Sequence, residues 1–258
     1  MKKLYGSVLF TVLAAAISAC GPEDTGINPG ATCEPVANTD ICEGGLDEDC
    51  DGFTDCSDPD CAGYPSCPPP CGTVTASDLE LPLPDGPQPG DELEYFLGTA
   101  ELQGFGAGAT LQNAGDLLSA CVIMEHSWIR DLQIEMVCPS GEIVVLQEFL
   151  GTNGGQVFLG EPIDTDWDVP QPGVGYEYCW TPTATNLPLL EYANANPGIT
   201  TIPAGDYQPV GSFESLEGCT LDGAWSIKVT DLWGADNGYI FGWSLDFNPA
   251  IIQDCSIW

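Results

Sequence analysis

A run of carboxylates between Asp47 and Asp58 is the part of the chain whose residue types and spacing best support a specific chemistry. Acidic side chains stand at positions 1, 3, 5, 9 and 12 of a twelve-residue loop, and Gly52 stands at position 6. Two carboxylates about 4 Å apart repel each other by roughly 4 kcal/mol at an effective dielectric constant of about 20, so five converging side chains need a divalent cation. Calcium fits best, because it accepts six to eight hard oxygen ligands in a tolerant geometry.

The predicted ligands are five side chains and one backbone carbonyl, that of Phe53 at position 7. The five side chains belong to Asp47, Asp49, Asp51, Asp55 and Asp58. This loop resembles the calcium loops of thrombospondin type 3 repeats and of related bacterial surface modules, over about twelve to twenty residues. The alternative is an acidic, solvated loop that is pinned by disulfides and holds no ion.

The first nineteen residues are predicted to be an export signal. Lys2 and Lys3 precede an apolar run, residues 8–16, which is too short to span a bilayer. The following Ile17-Ser18-Ala19-Cys20 resembles a bacterial lipobox, which implies that Cys20 carries a lipid and anchors the chain to a membrane. Because glycine and not aspartate follows Cys20, we expect the outer membrane or cell surface of a bacterium. Ordinary cleavage near Ser18 is the alternative.

The cysteine count agrees with export to an oxidising compartment. Of thirteen cysteines, assigning Cys20 to the lipid leaves twelve, enough for six disulfides. Five lie in the later part of the chain, so one partner must come from outside it, and Cys71 at the junction is the expected sixth member. The other six would pair among themselves, in a connectivity that the sequence leaves open, and zinc ligation is the competing interpretation. The twelve are Cys33, Cys42, Cys50, Cys56, Cys61, Cys67, Cys71, Cys121, Cys138, Cys179, Cys219 and Cys255.

The charge of the chain excludes nucleic acid as a partner. With 39 acidic and 4 basic residues the formal net charge is −35, and only Arg130 and Lys228 remain basic once the signal is removed. Phosphate binding requires clustered lysine and arginine. Most carboxylates must therefore be solvated or bound to cations.

Composition divides the chain into four parts. Residues 1–19 are the signal, 20–32 the lipid anchor and a tether, 33–71 a Cys/Asp-rich calcium-binding module, and 72–258 a β-sandwich. The module at 33–71 has few aliphatic residues and needs disulfides and metal to fold. Beyond it, apolar and polar residues alternate in about eight segments, and helical periodicity of any length is missing. We therefore expect an all-β fold, a jelly-roll-like sandwich preceded by a small irregular module. The predicted strands are 93–97, 121–125, 132–136, 143–149, 156–159, 176–180, 225–230 and 242–247.

Three segments of the sandwich region, in this order and spacing, resemble the P/Homo B domain that follows the catalytic domain of subtilisin-like proprotein convertases. They are His126-Ser127-Trp128-Ile129-Arg130-Asp131-Leu132, Cys138-Pro139-Ser140-Gly141, and Gly223–Asp231 followed by Asn237–Leu245. The resemblance covers roughly residues 72–249 and implies a jelly-roll sandwich that stabilises a neighbouring protease or serves as a surface module. This chain departs from the family in having Arg130 where glycine is common, and in its five added cysteines.

The sandwich loops contain a second candidate metal site. If the resembled topology holds, Asp131, Asp231, Asp236 and Asn237 could converge there, although Asp and Asn are also common turn residues. Four aromatic residues near loops could stack on a ligand or simply pack: Trp167, Tyr207, Trp233 and Tyr239.

Proteolysis is not expected of this chain itself. A Ser-His-Asp site needs a histidine base, and the one histidine, His126, lies within the P-domain-like motif, where a packed or hydrogen-bonded structural role is expected. The chain lacks a Gly-x-Ser-x-Gly motif and a His-Glu-x-x-His motif. The sequence predicts a non-catalytic, calcium-binding surface lipoprotein whose sandwich binds a glycan or a protein. The alternative is an accessory module for a separate subtilisin-like serine endopeptidase.

Overall fold

The strands of this chain form two packed sheets, as the alternating sequence pattern predicts. The computed structural model describes residues 42, 50, 71–87, 92–151, 155–163, 170–234 and 236–255. Across these residues the all-β prediction is confirmed. The predicted lipid site at Cys20 and the calcium loop from Asp47 to Asp58 lie outside the described residues, except for Cys50.

The described residues form fourteen strands. These are β1 (Thr73–Ala76), β2 (Leu81–Pro82), β3 (Phe96–Leu102), β4 (Leu117–His126), β5 (Leu132–Val137), β6 (Ile143–Gln147), β7 (Phe158–Leu159), β8 (Glu161–Ile163), β9 (Gln171–Val174), β10 (Tyr176–Trp180), β11 (Thr201–Ile202), β12 (Gly205–Tyr207), β13 (Gly223–Asp231) and β14 (Gly238–Phe247).

The larger sheet has the strand order β1-β14-β4-β10-β12, and β2, β7 and β11 extend it at its margins. The smaller sheet has the order β3-β13-β5-β6, with antiparallel pairing throughout. Strands β8 and β9 form a separate two-stranded ribbon. The chain crosses from the larger to the smaller sheet between β4 and β5, and returns between β13 and β14. Both crossings lie at the same end of the sandwich, because β5 and β13 are antiparallel neighbours.

Alternation along the strands builds the core between the sheets. Along β5, for example, the even-numbered residues are buried and the odd-numbered ones are half-buried, as expected of a strand with one covered face. Phe247 is in the middle of an aromatic cluster, since its ring makes edge-on contacts with Trp225 at 5.1 Å and with Phe105 at 5.3 Å. The indole N–H of Trp225 donates to the Leu221 carbonyl at 2.8 Å, which satisfies its buried polar group.

Disulfides tie the sandwich together at three places. Cys71 pairs with Cys255, Cys121 with Cys179 and Cys138 with Cys219. The five later cysteines thus take Cys71 as their sixth member, and the first bridge joins the two ends of the sandwich. Cys42 and Cys50 are also disulfide-bonded.

The structure differs from the sequence prediction in a helix and in several short strands. Helix α1 (Leu189–Ala195) begins after Pro188 and buries Leu189, Leu190 and Ala193. With seven residues it spans about two turns, which is too short for helical periodicity to be recognised. The sequence prediction named no helix here, and one helix of this length leaves the all-β fold class unchanged. The short strands β7, β8, β11 and β12 have two or three residues each and show no clear alternation.

The chain divides into two units, Met1–Pro69 and Pro70–Trp258, and the second contains the sandwich. Within the described residues, no helix has the length and apolar character needed to cross a membrane.

Candidate functional site

The candidate site lies where the two crossings between the sheets meet. The β4–β5 crossing (residues 127–131) and the β13–β14 crossing (residues 232–237) are joined by backbone hydrogen bonds. Ser127 N–H donates to the Asn237 carbonyl at 3.0 Å, and Leu232 N–H donates to the Asp131 carbonyl at 2.9 Å. The ends of four strands are thereby fixed against one another, two from each sheet.

Strand register brings the predicted acidic residues together. Asp231, the last residue of β13, is the cross-strand partner of Leu132, so it lies beside Asp131 at the start of β5. Asp131 and Asp231 are each 1% exposed and Asn237 is 5% exposed, whereas Asp236 is half-buried. Asp231 and Asp236 both act electrostatically on Asp131. Three of the residues singled out in the sequence thus form one acidic cluster, with Asn237 next to Asp236.

Asp231 is held by two hydrogen bonds. Its Oδ2 lies 3.1 Å from Nε2 of His126, and its Oδ1 accepts the Trp233 N–H at 2.9 Å. The other ring nitrogen of His126, Nδ1, lies 3.0 Å from the Trp128 backbone nitrogen and 3.1 Å from the Trp128 carbonyl oxygen, so its role depends on the tautomer. With a proton on Nε2 the ring donates to Asp231, and an unprotonated Nδ1 accepts the Trp128 N–H. Each carboxylate oxygen of Asp231 still has a lone pair available for a further ligand.

His126 is completely buried and shares its surroundings with three carboxylates. Burial opposes its protonation, but the hydrogen bond and the negative charge of Asp231 outweigh burial and raise the pKa of His126 above its ordinary value of 6.5. The negative charges of Asp131 and Glu125 act in the same direction. The sequence predicts a structural role for this histidine, but it does not identify Asp231 as the partner.

Asp131 is a buried carboxylate with no fixed hydrogen-bond donor among the described residues. No N–H or O–H group of the described residues reaches either of its carboxylate oxygens. Its close neighbour is the carboxylate of Asp236, with which it can share a proton. Burial, followed by the negative charges of Asp231 and Asp236, raises the pKa of Asp131 to about 7. Leaving a buried polar group unsatisfied costs about 1–3 kcal/mol, and more for a charged group.

The side chain of Asn237 is also buried without hydrogen-bond partners among the described residues. Neither its Oδ1 nor its Nδ2 has a partner among the described residues, although the residue is buried. Its backbone is well held, because its N–H donates to Ser127 Oγ at 3.1 Å. The same hydroxyl lies 3.4 Å from Asp236 Oδ1. Among the described residues, a buried carboxylate and a buried amide without partners thus lie beside a second carboxylate.

The chemistry of these donors fits a hard divalent cation. Carboxylate and amide oxygens are the ligands that calcium accepts, and a divalent ion compensates the charge of Asp131. The carboxylates of Asp131, Asp231 and Asp236 do not all approach within 4.8 Å of one another, so binding would draw Asp131, Asp236 and Asn237 closer together. Two other groups do meet that distance among the described residues, Cys121–Glu177–Cys179 and Cys138–Glu142–Cys219. Their sulfurs are in disulfides, so they are not thiolate ligands.

The aromatic residues near the loops divide into packed and exposed ones. Tyr207 is 1% exposed and packs edge-on against Tyr192, and Tyr239 donates its hydroxyl proton to the Pro170 carbonyl at 2.9 Å. These two are packing residues. Trp233 is 49% exposed and lies in the β13–β14 crossing, beside the acidic cluster. Trp167 lies outside the described residues.

The pKa of Asp131 predicts how the stability of the cation-free protein depends on pH. In the unfolded chain this group ionises near its ordinary value of 3.8, and in the folded chain at about 7. The folded state therefore holds the proton more tightly, and stability falls as pH rises through this window. The pKa of His126 in the folded chain is also raised. Its contribution to folding stability is therefore fully present below pH 6.5 and is lost as the pH rises through the folded pKa.

We therefore expect the chelator-treated protein to lose roughly 2 to 3 kcal/mol of unfolding free energy through Asp131 between about pH 5 and about pH 8. Urea unfolding at several pH values measures this loss of unfolding free energy. Subtracting the same curve for Asp131→Asn removes the general repulsion among the other carboxylates. A difference curve that is flat over this range would contradict the assignment.

Comparisons with known proteins give no family for this chain. No protein-family model matches it, and no curated protein matches it. Among solved structures it is similar to the complex of the Aeromonas sobria serine protease with the chaperone ORF2, at 12% identity and a TM-score of 0.33, over 68% of this chain and 26% of that chain. It is also similar to the serine protease of Aeromonas sobria, at 12% identity and a TM-score of 0.31, with the same coverage. The matched region thus spans about a quarter of those chains, and likenesses of this size assign no activity.

Proposed function

We propose that this chain is a non-catalytic binding module of an exported protein, in which calcium fixes the loop end of the β-sandwich. The observation that carries this proposal is Asp131, a carboxylate 1% exposed, without a hydrogen-bond donor among the described residues. Folding a chain around such a group in its ionised form is costly unless a cation compensates the charge. Asp236 and Asn237 supply further oxygens, and Asp231 adds negative charge.

In this proposal the ion acts on structure and not on a reaction. Three of the four residues come from the two crossings between the sheets and Asp231 ends β13, so an ion held there would link the larger sheet to the smaller one. The predicted calcium loop at residues 47–58 would supply a second site of the same chemistry. The chain would then depend on extracellular calcium at two places, in keeping with its excess of carboxylates.

The absence of an accessible histidine base supports a non-catalytic module. His126 is completely buried, and both of its ring nitrogens are engaged by Asp231 and Trp128. A general base must reach the proton of a nucleophile or a substrate, and this ring faces the interior. The sequence contains no other histidine.

We further propose that the partner is a surface glycan or protein and that the lipid on Cys20 holds the module at the membrane. Trp233 supports this assignment, because it projects from the crossing that the ion would fix. A large aromatic ring at the surface is a common anchor for sugars and protein side chains. Ion binding and partner binding would then involve the same loop.

The second candidate is an accessory module for a subtilisin-like serine endopeptidase. The P-domain-like motifs favour it, since the best-known domains of that kind stabilise a protease. In this case the sandwich would dock on a separate catalytic chain, and the ion would stabilise the conformation of the docking surface.

One experiment separates the two candidates. The chain is mixed with isolated envelope polysaccharide, and, in a parallel assay, with a subtilisin-like endopeptidase that lacks a sandwich domain. The first proposal predicts calcium-dependent binding to the polysaccharide that Trp233→Ala weakens by at least about tenfold. Leu118→Ala, which removes a comparably exposed apolar side chain at the far end of β4, is the control and should bind like the parent.

Slower thermal inactivation of the endopeptidase in the presence of the chain, without polysaccharide binding, would favour the second candidate. If neither assay responds to the chain, the proposal of a binding module in both of its forms is contradicted.

A further inference from the structure

A second feature of the sandwich lies away from the acidic cluster, on the outer face of the larger sheet. There a cavity of about 460 Å³ opens to solvent. It is lined by Ser77, Asp78, Glu80, Ile123 and Phe241. Its floor is apolar and its rim carries two carboxylates, which is the combination that binds a cation on an aliphatic stem.

The cavity arises because strand pairing is irregular on both sides of Phe241. On one side, β1 pairs with β14 up to Ala76–Trp243 and β2 resumes at Leu81–Ile240. The four residues 77–80 therefore stand opposite two residues of β14, and Leu79 N–H donates to the Phe241 carbonyl at 3.0 Å. This segment bulges outward from the sheet, carrying Asp78 and Glu80 with it.

On the other side, the register between β14 and β4 shifts at the same residue. Ile240 pairs with Met124 and Gly242 with Ile123, so Phe241 has no partner on β4. A bulge of this kind turns a side chain away from its regular direction. The ring of Phe241 and the side chain of Ile123 consequently lie together at the bottom of the cavity.

Gly175, between β9 and β10, packs closely against the aromatic ring. A Cβ atom at this position would lie 2.3 Å from Cδ2 of Phe241 and 3.1 Å from Cγ2 of Ile123. Any larger residue would clash with the ring. The glycine therefore lets the ring lie directly against the backbone between β9 and β10, which fixes its position beside Ile123.

The surroundings of the cavity are anionic. Asp78 and Glu80 are exposed at the rim, and Glu177 is the cross-strand partner of Ile123. The two basic residues in the described part of the chain are elsewhere. Lys228 lies in the smaller sheet and pairs with Glu135 at 3.2 Å, and Arg130 lies in the β4–β5 crossing. The cavity therefore has no basic neighbour among the described residues and is complementary to a cationic group.

We propose that this cavity binds an arginine side chain of a partner protein. The guanidinium group would stack on the Phe241 ring and donate hydrogen bonds to Asp78 and Glu80, while the methylene stem would pack on Ile123. A bare metal ion fits less well, because an apolar floor offers it no ligands. Arginine is preferred to lysine, since its planar group both stacks on a ring and presents several donors in fixed directions. A chain with 39 acidic and 4 basic residues is complementary to a basic partner.

The test uses N-acetyl-arginine methylamide as the probe and NMR titration of the full oxidised chain at moderate salt. The expected result is saturable shifts at Phe241, Gly175 and Ile123 with an affinity in the millimolar range, because one exposed ion pair and one cation–π contact are weak. The citrulline analogue, which has the same shape without the charge, should cause no saturable shift. Asp78→Asn with Glu80→Gln should weaken binding by about tenfold.

A matched control is Glu191→Gln with Glu214→Gln, which removes two exposed carboxylates elsewhere. Its net charge is then equal to that of the Asp78/Glu80 variant. It should bind the probe like the parent. Equal weakening in the control would mean diffuse attraction and would overturn the proposal. So would shifts that do not saturate in the parent, or equal binding of the citrulline analogue. Unchanged calcium binding by the Asp78/Glu80 variant would show that the cavity and the proposed calcium site act independently.

Discussion

Asp131→Asn is expected to make the sandwich more stable than the parent in chelator and to remove most of its response to calcium. The folded parent carries a buried carboxylate whose pKa is raised from 3.8 to about 7. At pH 8 this shift corresponds to about 4 kcal/mol of lost unfolding free energy, and asparagine has no such charge to bury. When the calcium concentration is a hundredfold above its Kd, the unfolding free energy of the parent rises by about 2.7 kcal/mol, and that of the variant rises little.

Urea unfolding followed by tryptophan fluorescence measures both effects. All seven tryptophans lie beyond residue 127, so the signal reports the sandwich and not the module at residues 33–71. Asp206→Asn is the matched control, because Asp206 is an exposed aspartate at a distance in sequence from both crossings. It should respond to calcium like the parent. A calcium response of the Asp131 variant equal to that of the parent would refute the assignment of this carboxylate.

Removing the bridge between Cys71 and Cys255, by Cys71→Ser with Cys255→Ser, is expected to cause the largest loss of stability. The two cysteines are 184 residues apart, so the bridge closes a loop that contains nearly the whole sandwich. In the chain-entropy account, loss of such a bridge costs about 5 kcal/mol. Cys71 lies two residues before β1, an edge strand, so the start of the sandwich loses its covalent attachment.

Urea unfolding gives the size of this loss, and amide hydrogen exchange gives its location. Exchange should quicken first at β1, whose remaining anchors are its pairing with β14 and the Phe247 N–H bond to the Gly72 carbonyl. The control is Cys121→Ser with Cys179→Ser, where the separation is 58 residues and the two strands stay paired by hydrogen bonds. A smaller loss in the Cys71/Cys255 variant than in this control would argue against the entropic explanation.

The sequence predicts most of the long strands because alternation is a local property. The residues of β5, β10, β13 and β14 alternate over five or more positions, and the structure has strands at all four places. The segment predicted at 93–97 begins later, at Phe96, because residues 92–95 lie outside the paired region. The two-residue strands β7 and β11 pair with each other across more than forty residues, which no local pattern reveals.

The same distinction applies to the acidic cluster. The sequence identifies the four polar residues of the cluster, because each stands at the end of a strand or in a crossing: Asp131, Asp231, Asp236 and Asn237. It does not identify the residues that they contact. The contact between His126 and Asp231 joins residues 105 positions apart and depends on which strands cross between the sheets. That Asp131 has no donor among the described residues depends on every neighbour around it, so only the folded structure shows it.

A calorimetric calcium titration of Asp49→Ala with Asp51→Ala tests the central claim most directly. These substitutions remove two ligands of the predicted loop, so any saturable binding that remains must come from elsewhere in the chain. The titration is run on chelator-treated, oxidised protein in moderate salt, which suppresses diffuse binding to the many carboxylates. We predict that one saturable ion remains and that adding Asp131→Asn removes it. Loss of all saturable binding in the loop variant would mean that the sandwich holds no calcium.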